Sequence, residues 1–234
     1  MRTIRYSRVV HLSHVLRNGM PCWPGDPPLS VEPVAELEKD GYRLNRLTLG
    51  EHTGTHVNAP GHFFSGGSSA EHVPAEALVL PAVVVDCRKE VEENPDFALA
   101  PTHIQRFESQ HGAIPPGRAV LLFSGWQARW PDPEAYFNRG ADGRRHFPGF
   151  SPEAVRFLVE ERGATALGID THGIDPGVDE TYAANKLALA RGVLVIENIT
   201  NLDQLPPVGA TLVVGALRVA GGSGAPAAVL ALIP

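Results

Sequence analysis

Short apolar runs of strand length occur along the whole chain, and in its second half they alternate with segments of helical pattern. The continuous apolar runs at 82–86 and 119–123 predict two strands that are buried on both faces. Further strands are predicted at 8–12, 43–51, 166–170, 193–196, 211–219 and 227–233. The alternation of strands and helices predicts the α/β class, and the short strands near both termini predict a mixed, barrel-like sheet.

Helix signals lie between several of these strands. Ser151 followed by Pro152 is a typical N-cap and first-turn pair, and Gly163 is a typical terminator. Thr102 is a candidate cap for another helix. Helices are therefore predicted at 102–111, 151–161 and 181–190, with a shorter one at 73–78.

Two segments follow neither period. Residues 20–28 contain four prolines, which predicts a rigid loop that presents Trp23. This tryptophan is either a lid over a pocket or a hydrophobic plug, and the plug is the more ordinary role. Residues 127–149 are polar and include prolines, which predicts an excursion over the surface.

The composition is that of a globular protein, with 43% apolar and 20% charged residues among 234. No linker-like tract divides the chain, so one domain over 1–234 is expected. The net charge of −6 and the scattered basic residues argue against nucleic-acid binding. No apolar run has the length of a signal sequence or membrane span, and Cys22 and Cys87 are the only cysteines. Both observations favour a reducing cytoplasm and no membrane partner.

Three of the ten histidines, His52, His56 and His62, fall within eleven residues. Imidazole is a common ligand of zinc and similar ions, and Asn58 adds an oxygen two residues after His56. On a straight strand His52 and Asn58 would lie about 20 Å apart, whereas each ligand of an ion lies about 2.0–2.3 Å from it. The segment must therefore bend. Because Gly54 disfavours a helix here, we expect a strand that ends near His52 and then a curled loop.

Polar residues also follow two later strands, where binding sites of α/β proteins usually lie. Asp170, His172 and Asp175 come after one strand, but turn hydrogen bonds explain the aspartates equally well, and His172 is more often a hydrogen-bonded loop residue. Glu197 directly follows an apolar run. A carboxylate buried there is costly unless it is paired, and its partner can be a metal, an arginine or a backbone N–H.

With these residues placed, the chain resembles the cyclase family of metal-dependent hydrolases, which includes bacterial-type kynurenine formamidases (arylformamidases) and isatin hydrolases. The family motif His-x-Gly-Thr-His-x-Asp-x-Pro-x-His is similar to residues 52–62, His-Thr-Gly-Thr-His-Val-Asn-Ala-Pro-Gly-His. The resemblance extends over nearly the whole chain through further ordered landmarks. These are Trp23 to Asp26, Gly125-Trp126, Gly168 to Asp170, Ile174-Asp175 and Gly192 to Asn198.

The resemblance implies a swivelling β/β/α fold, usually in an oligomer such as a homodimer or homotetramer. It assigns His52 and His56 to a first metal site and Glu197 to a second. It also assigns His62 to acid/base catalysis and Trp23 to the substrate pocket.

Two positions depart from the family pattern. Asn58 stands where the motif has aspartate, and Asn185 stands where a histidine is expected twelve residues before Glu197. An aspartate can bridge two cations because it has a charge and two acceptor oxygens, whereas a carboxamide has one acceptor and no charge. We therefore expect one metal ion or none, bound by His52, His56 and either Asn58 or Glu197, with water. Zinc fits the nitrogen-rich set, and manganese fits if oxygen ligands dominate.

The leading hypothesis is metal-dependent hydrolysis of an amide C–N bond in a formamide or small cyclic amide. His62 would act as acid/base, and Glu197 would orient water or complete the ligand set. Trp23 and Phe63 would stack on a planar substrate. The alternatives are a metal-poor descendant that binds a small molecule, and a metal-dependent lyase or dehydratase.

Overall fold

A computed structural model describes residues 3–234 of the chain, which form one mixed sheet of eight strands and two sheets of two strands. The large sheet consists of β1 (Arg8–His11), β4 (His56–Asn58), β5 (Val79–Asp86), β7 (Ala119–Phe123), β9 (Ala166–Ile169), β10 (Leu194–Glu197), β11 (Val208–Ala216) and β12 (Gly224–Ile233). The small sheets pair β2 (Ser30–Ala35) with β3 (Leu44–Thr48), and β6 (Ala98–Leu99) with β8 (Gly149–Phe150).

Seven strands of the large sheet close into a barrel. Their order is β12-β11-β5-β7-β9-β10-β4, and the barrel closes because β4 pairs with both β10 and β12. β5, β7, β9 and β10 are parallel, whereas the remaining pairings are antiparallel. β1 pairs with the last residues of β12. The predicted α/β class and the mixed, barrel-like sheet are confirmed.

The central parallel strands are buried on both faces, as their apolar runs predicted. All five residues of β7 are buried. Val120 and Leu122 pack into one apolar cluster, while Ala119, Leu121 and Phe123 pack into another. Because side chains alternate across a strand, the sheet separates two cores.

Six α-helices lie within residues 3–234. They are α1 (Leu37–Asp40), α2 (Arg88–Glu93), α3 (Pro101–His111), α4 (Pro133–Phe137), α5 (Pro152–Arg156) and α6 (Ala183–Ala190). α5 begins as predicted, since Ser151 Oγ accepts a hydrogen bond from Ala154 N at 3.1 Å, and a π-helical turn at Phe157–Glu161 extends it. The cap predicted at Thr102 is wrong. Pro101 is the first residue of α3, because a proline is tolerated in a first turn where no N–H is needed.

The strand predicted at 43–51 covers only Leu44–Thr48 and does not belong to the large sheet that contains the site. β3 pairs with β2 in a ribbon outside the large sheet, and none of its residues is buried. His52 lies in a turn after this ribbon, and His56–Asn58 forms β4 inside the barrel. The expected curled loop is therefore a turn followed by a strand, because β10 and β12 satisfy the backbone of β4 on both sides.

The segment 127–149 is not the surface excursion that its polarity predicted. Trp130, Tyr136 and Phe147 are buried in the core, and Trp126 Nε1 donates to Tyr136 O at 2.7 Å. A few large aromatic side chains decide where this polar segment packs, since each buries far more area than its neighbours.

Two further features concern the environment of the protein. Cys22 and Cys87 are both free thiols. Within the described part of the chain, no helix is long and apolar enough to cross a membrane. The single domain over 1–234 and the cytoplasmic location stay predictions.

Candidate active site

The side chains predicted to form a site line one cavity with a volume of about 240 Å³. The predicted residues among them are Trp23, His52, His56, Asn58, His62, Phe63 and Glu197. Asp26, His172, Gly173, Tyr182 and Asn185 complete the lining. The sequence therefore identified the place, while the role of each residue stays a prediction.

Strand pairing brings the histidine segment and Glu197 together. β4 runs antiparallel to β10, with His56 opposite Glu197. His56 and Asn58 are two residues apart on one strand, so their side chains share a face. Gly54 makes the preceding turn with a φ of 65°, a conformation that glycine adopts without strain.

Glu197 is 4% exposed, and one of its two carboxylate oxygens is fully supplied with donors. Oε1 accepts from Asn58 Nδ2 at 2.9 Å, Asn185 Nδ2 at 3.0 Å and Ile174 N at 3.2 Å. Burial by itself raises the pKa of a carboxyl group, but the hydrogen bond and positive charge of a protonated His56, together with a hydrogen bond from Asn185, outweigh it and lower the pKa of Glu197 to about 2. This side chain is therefore an anion in the cavity wall.

The two ring nitrogens of His56 have different surroundings, and the whole residue is buried. Nδ1 lies 2.9 Å from Gly54 O, which can only accept, so Nδ1 holds the ring proton. Nε2 lies 3.2 Å from Glu197 Oε2 but has no hydrogen-bond partner within residues 3–234. In the neutral imidazole a lone pair thus faces a carboxylate oxygen. This arrangement needs a proton or a metal cation between the two atoms.

The ring of His52 is fixed in a similar way. Ser223 Oγ donates to Glu51 Oε2 at 2.6 Å, so the same hydroxyl accepts from His52 Nε2 at 3.1 Å. The other nitrogen, Nδ1, lies 3.0 Å from Asn58 Oδ1. A Cβ at position 224 would lie 2.5 Å from His52 Cε1, so Gly224 leaves room for the ring. Two acceptors again face each other.

These two facing pairs define a candidate cation site of two nitrogens and two oxygens. The pairs are His52 Nδ1 with Asn58 Oδ1, and His56 Nε2 with Glu197 Oε2. The imidazole centroids are 5.0 Å apart. Among residues 3–234, no three histidine, cysteine, aspartate or glutamate side chains form a metal-binding cluster by themselves, so the Asn58 amide oxygen is needed. The residues present fit a single divalent cation.

The second cation position implied by the resemblance is filled with amide donors. Asn185 Nδ2 donates to Asp175 Oδ2 and to Glu197 Oε1, both at 3.0 Å. Asn185 Oδ1 accepts from Asn58 Nδ2 at 3.1 Å. Each N–H occupies an oxygen lone pair that a cation would use, so these residues do not fit a second ion.

His62 is the exposed member of the histidine cluster. Its ring centroid lies 4.1 Å from that of His52 and 4.3 Å from that of Phe63. The neighbouring rings desolvate the imidazole and lower the pKa of His62, against the opposing effect of Glu197. Burial also lowers the pKa of His52 to about 4. Both imidazoles are neutral at pH 7, as metal binding and proton acceptance require.

Trp23 is half-buried in the cavity wall, so it is not the internal plug favoured from the sequence. Its ring centroid lies 5.1 Å from that of His172 and 6.1 Å from that of Phe137. The guanidinium carbon of Arg145 lies 4.1 Å from the centre of the tryptophan ring. These contacts hold the indole at the edge of the cavity, where it can contact a bound molecule.

Two aromatic side chains of this cavity, those of His172 and Tyr182, were not predicted as site residues. His172 is 7% exposed, its ring centroid lies 5.7 Å from that of His56, and burial lowers its pKa to about 3. Tyr182 packs beside Phe63 at 5.5 Å. The position of His172 after a strand was a signal, although the loop interpretation was preferred, whereas nothing in the sequence marked Tyr182.

Asp170 and Asp175 do not line this cavity. Asp170 Oδ1 accepts from Ser124 Oγ at 2.6 Å and from Ser124 N at 3.0 Å, and Oδ2 accepts from Gln127 N at 3.2 Å. Asp175 accepts from Ala184 N at 2.6 Å in the first turn of α6. Both carboxylates connect elements of the fold.

Fold and site together define a class of protein, a closed α/β barrel with a buried, histidine-rich candidate cation site. The chain matches the family model described as "Putative cyclase" over residues 10–176. It belongs to this cyclase family.

Individual relatives agree with this class. The chain is 32% identical to the isatin hydrolase of Roseibium aggregatum over 218 residues, which cover 89% of this chain and 82% of that protein. It is 26% identical to the kynurenine formamidase of Bacillus cereus over 224 residues, which cover 95% and 96%. The structure of an isatin hydrolase bound to the product analogue thioisatinate matches with a TM-score of 0.90 at 30% identity, covering 97% of this chain and 92% of that one. The named relatives are amide hydrolases, and the structural match confirms the family fold.

Proposed function

We propose that this protein hydrolyses an amide C–N bond in a small planar substrate, either a cyclic amide such as isatin or an aryl formamide. The proposed cofactor is one divalent cation, zinc in preference to manganese, bound by His52, His56, Asn58 and Glu197. The main support is that a ring nitrogen of His52 faces the amide oxygen of Asn58, and a ring nitrogen of His56 faces a carboxylate oxygen of Glu197. In the neutral imidazoles, each pair is two acceptors without a proton between them. The names of the relatives support the substrate class.

The chain fixes its own ligands before any cation binds. A bound divalent cation supplies polarisation of the amide carbonyl and acidification of water. Ser223 holds the Nε2 proton of His52, and Gly54 O holds the Nδ1 proton of His56. Hydrogen bonds of this kind select the tautomer and orient the ring. Glu197 contributes the single formal negative charge of the set.

His62 is the proposed acid/base. Its imidazole lies beside His52 and has no side-chain hydrogen bond within residues 3–234, so both nitrogens are free for substrate and water. The neutral ring takes a proton from the attacking water as the C–O bond forms. It then returns that proton to the nitrogen as the C–N bond breaks, so one water is added across the amide.

Aromatic side chains are proposed to select the substrate. Trp23 and Phe63 both line the cavity, and a planar ring stacked on either gains about 0.5–1.5 kcal/mol beyond its buried area. A volume of about 240 Å³ accommodates a small molecule and excludes a folded protein. The expected partner is therefore a small molecule. The homodimer or homotetramer stays a prediction, which the molar mass from light scattering tests.

Metal content and hydrolysis are measured separately in the test. Protein purified without chelator is expected to hold one divalent cation per chain by elemental analysis and to hydrolyse isatin or N-formylkynurenine. His56→Ala should lose both properties. His111→Ala is a matched control, because His111 is an exposed histidine at the end of α3. Full turnover after complete removal of metal would contradict the proposal.

The other two functions predict different results. No metal after supplementation, with retained binding of thioisatinate, would favour a small-molecule binding protein. A product without oxygen from isotopically labelled water would favour a lyase or dehydratase.

A further inference from the structure

Tyr182 has an unusual backbone conformation directly before α6. Its φ is 55° and its ψ is 41°, in the left-handed region. Within residues 3–234, the other non-glycine residues with positive φ are Asn138, Asn198 and Asn201. Asparagine is enriched in this region because its short polar side chain tolerates it, whereas a bulky tyrosine is strained there. The chain thus uses tyrosine where its own pattern would place asparagine.

The strained side chain lies in the candidate active site. Tyr182 lines the cavity of about 240 Å³ and also a smaller neighbouring cavity that Trp23 and His172 share. Its ring centroid lies 5.5 Å from that of Phe63, with the two planes at 36°. The side chain is only partly buried, and its hydroxyl makes no hydrogen bond within the described residues. Burial in the core therefore does not account for a tyrosine here.

The fold also does not need this side chain to begin α6. Asp175 accepts hydrogen bonds from Ala184 N at 2.6 Å and from Asn185 N at 3.2 Å. These bonds satisfy the first turn and use no atom of the tyrosine ring. An asparagine or glycine at 182 would give the same turn with less strain. Backbone strain that persists beside a binding site indicates a functional constraint.

We propose that Tyr182 is a substrate-binding residue whose ring forms one aromatic wall with Phe63. Because this wall is built from two tilted rings, it suits the planar ring system of a small substrate. The assignment rests on the proposed function in one respect, namely that the cavity binds a planar small molecule.

The decisive variant is Tyr182→Asn, which removes the ring and relieves the strain. We expect the melting temperature to stay the same or to rise by about 2–4 °C, as for a small stabilisation of a chain of this size. Binding of thioisatinate, measured by calorimetry, should weaken about fivefold to tenfold through loss of the aromatic contact. The KM for isatin should rise by a similar factor, while kcat changes less.

Two further variants separate the ring from other effects. Tyr182→Phe retains the aromatic wall, so its binding of thioisatinate should stay close to that of the unmodified protein, and a loss as large as that of Tyr182→Asn would contradict the role of the ring. Tyr42→Asn is the matched control, since Tyr42 is 57% exposed between β2 and β3. It should change neither the binding nor the melting temperature.

The outcomes distinguish this inference from the proposed reaction. A lower melting temperature with unchanged thioisatinate binding in Tyr182→Asn would show a packing residue and overturn the inference. Failure of the unmodified protein to bind thioisatinate would overturn it as well. If the protein binds thioisatinate but does not hydrolyse isatin or N-formylkynurenine, and Tyr182→Asn weakens the binding, the reaction is wrong and the assignment of Tyr182 stands.

Discussion

Asp170 and Glu197 are two buried carboxylates at the carboxyl ends of neighbouring parallel strands, yet their surroundings differ: Asp170 directly follows β9, and Glu197 is the last residue of β10. Asp170 has donors on both oxygens, from the hydroxyl and backbone of Ser124 and from the backbone of Gln127. Glu197 has three donors on Oε1, while Oε2 lies 3.2 Å from His56 Nε2, which has no hydrogen-bond partner within residues 3–234. Two acidic residues at the same end of adjacent strands thus differ in how many of their carboxylate oxygens receive hydrogen bonds.

The difference shows which of the two carboxylates is available for chemistry. A buried carboxylate whose acceptors are all used gains little from a further ligand. One that faces another acceptor needs a positive species between them, and a proton or a cation supplies it. We therefore expect Asp170 to act on stability and Glu197 to act on cation binding.

The largest expected effect comes from Glu197→Gln. The amide nitrogen can donate to His56 Nε2, so the protein should remain folded while the negative ligand is lost. We expect the affinity for Zn²⁺ to fall at least about 100-fold, since even outer contacts of a metal site are worth 10–100-fold. Titration calorimetry measures the affinity, and urea unfolding checks the fold. An unchanged affinity for Zn²⁺ would show that Glu197 is not a ligand and that it does not differ from Asp170 in this respect.

Loss of the acid/base should separate activity from cation binding. His62→Ala is expected to lower kcat on isatin or N-formylkynurenine about 100-fold or more, the usual contribution of a positioned acid/base. Elemental analysis should show unchanged metal content, because His62 is outside the proposed ligand set. Full turnover in this variant would exclude the role.

Asp170→Ala should have the opposite profile to Glu197→Gln. Removal of the carboxylate leaves the Ser124 and Gln127 N–H groups buried without their acceptor. We expect the free energy of unfolding to fall by about 3 kcal/mol, with Zn²⁺ affinity of the folded protein unchanged. Urea unfolding and calorimetry on the same preparation test this. A loss of affinity without a loss of stability would reverse the comparison.

His14 tests whether an unpartnered buried nitrogen is sufficient to mark a cation site. Its Nε2 has no hydrogen-bond partner within the described residues, its ring stacks on Trp130 at 3.9 Å, and burial lowers its pKa to about 4. Because the unfolded pKa is near 6.5, the neutral ring stabilises the fold above pH 6.5, and this contribution is lost as the pH falls towards 4.

The variant His14→Phe should therefore lose less stability in acid. Between pH 7 and pH 4.5, the unmodified protein should lose about 2–3 kcal/mol more unfolding free energy than the variant, given the shift in pKa. Metal content should stay the same, because His14 has no carboxylate partner among the described residues. Urea unfolding at both pH values tests the sign, and parallel curves for the two proteins would contradict it.

The smallest expected effect is that of Ser223→Ala. Without the hydroxyl, His52 Nε2 loses its acceptor, and the tautomer that frees Nδ1 is no longer selected. Zn²⁺ affinity should fall about tenfold, in the usual range for such supporting contacts. Ser109→Ala on the exposed side of α3 is the control, since Ser109 Oγ only bonds Arg106 O one turn away. Equal affinities for the two variants would show that Ser223 does not position the ligand.

Local patterns predicted much of the fold. The apolar runs at 82–86 and 119–123 are buried strands because residues with this composition gain most from burial on both faces. The start of α5 followed from Ser151 and Pro152, since capping depends on neighbours in the chain. Two segments were misplaced for different reasons. β3 pairs with the preceding strand β2 outside the large sheet, so its partial alternation did not mark a buried face, whereas a few buried aromatic side chains decide the packing of the polar segment 127–149.

The histidine spacing, the carboxylate at the end of an apolar run and the family resemblance together named the candidate ligands, because ligand chemistry is a property of residue type. Their protonation was not predictable. His52 Nε2 bonds Ser223, which is 171 residues away, and Asn58 donates to Glu197 across 139 residues. Such contacts exist only after the barrel closes, so only the structure fixes which nitrogens are free.

The sequence by itself therefore determined that this chain forms an α/β barrel with a histidine-rich site, through burial preference and the chemistry of its side chains. Only the tertiary structure decided which carboxylate has hydrogen-bond donors on both oxygens and which lone pairs face the cavity. It also decided that Tyr182, with its strained backbone, lines that cavity. These properties depend on distances between residues remote in the chain, and chain closure sets those distances.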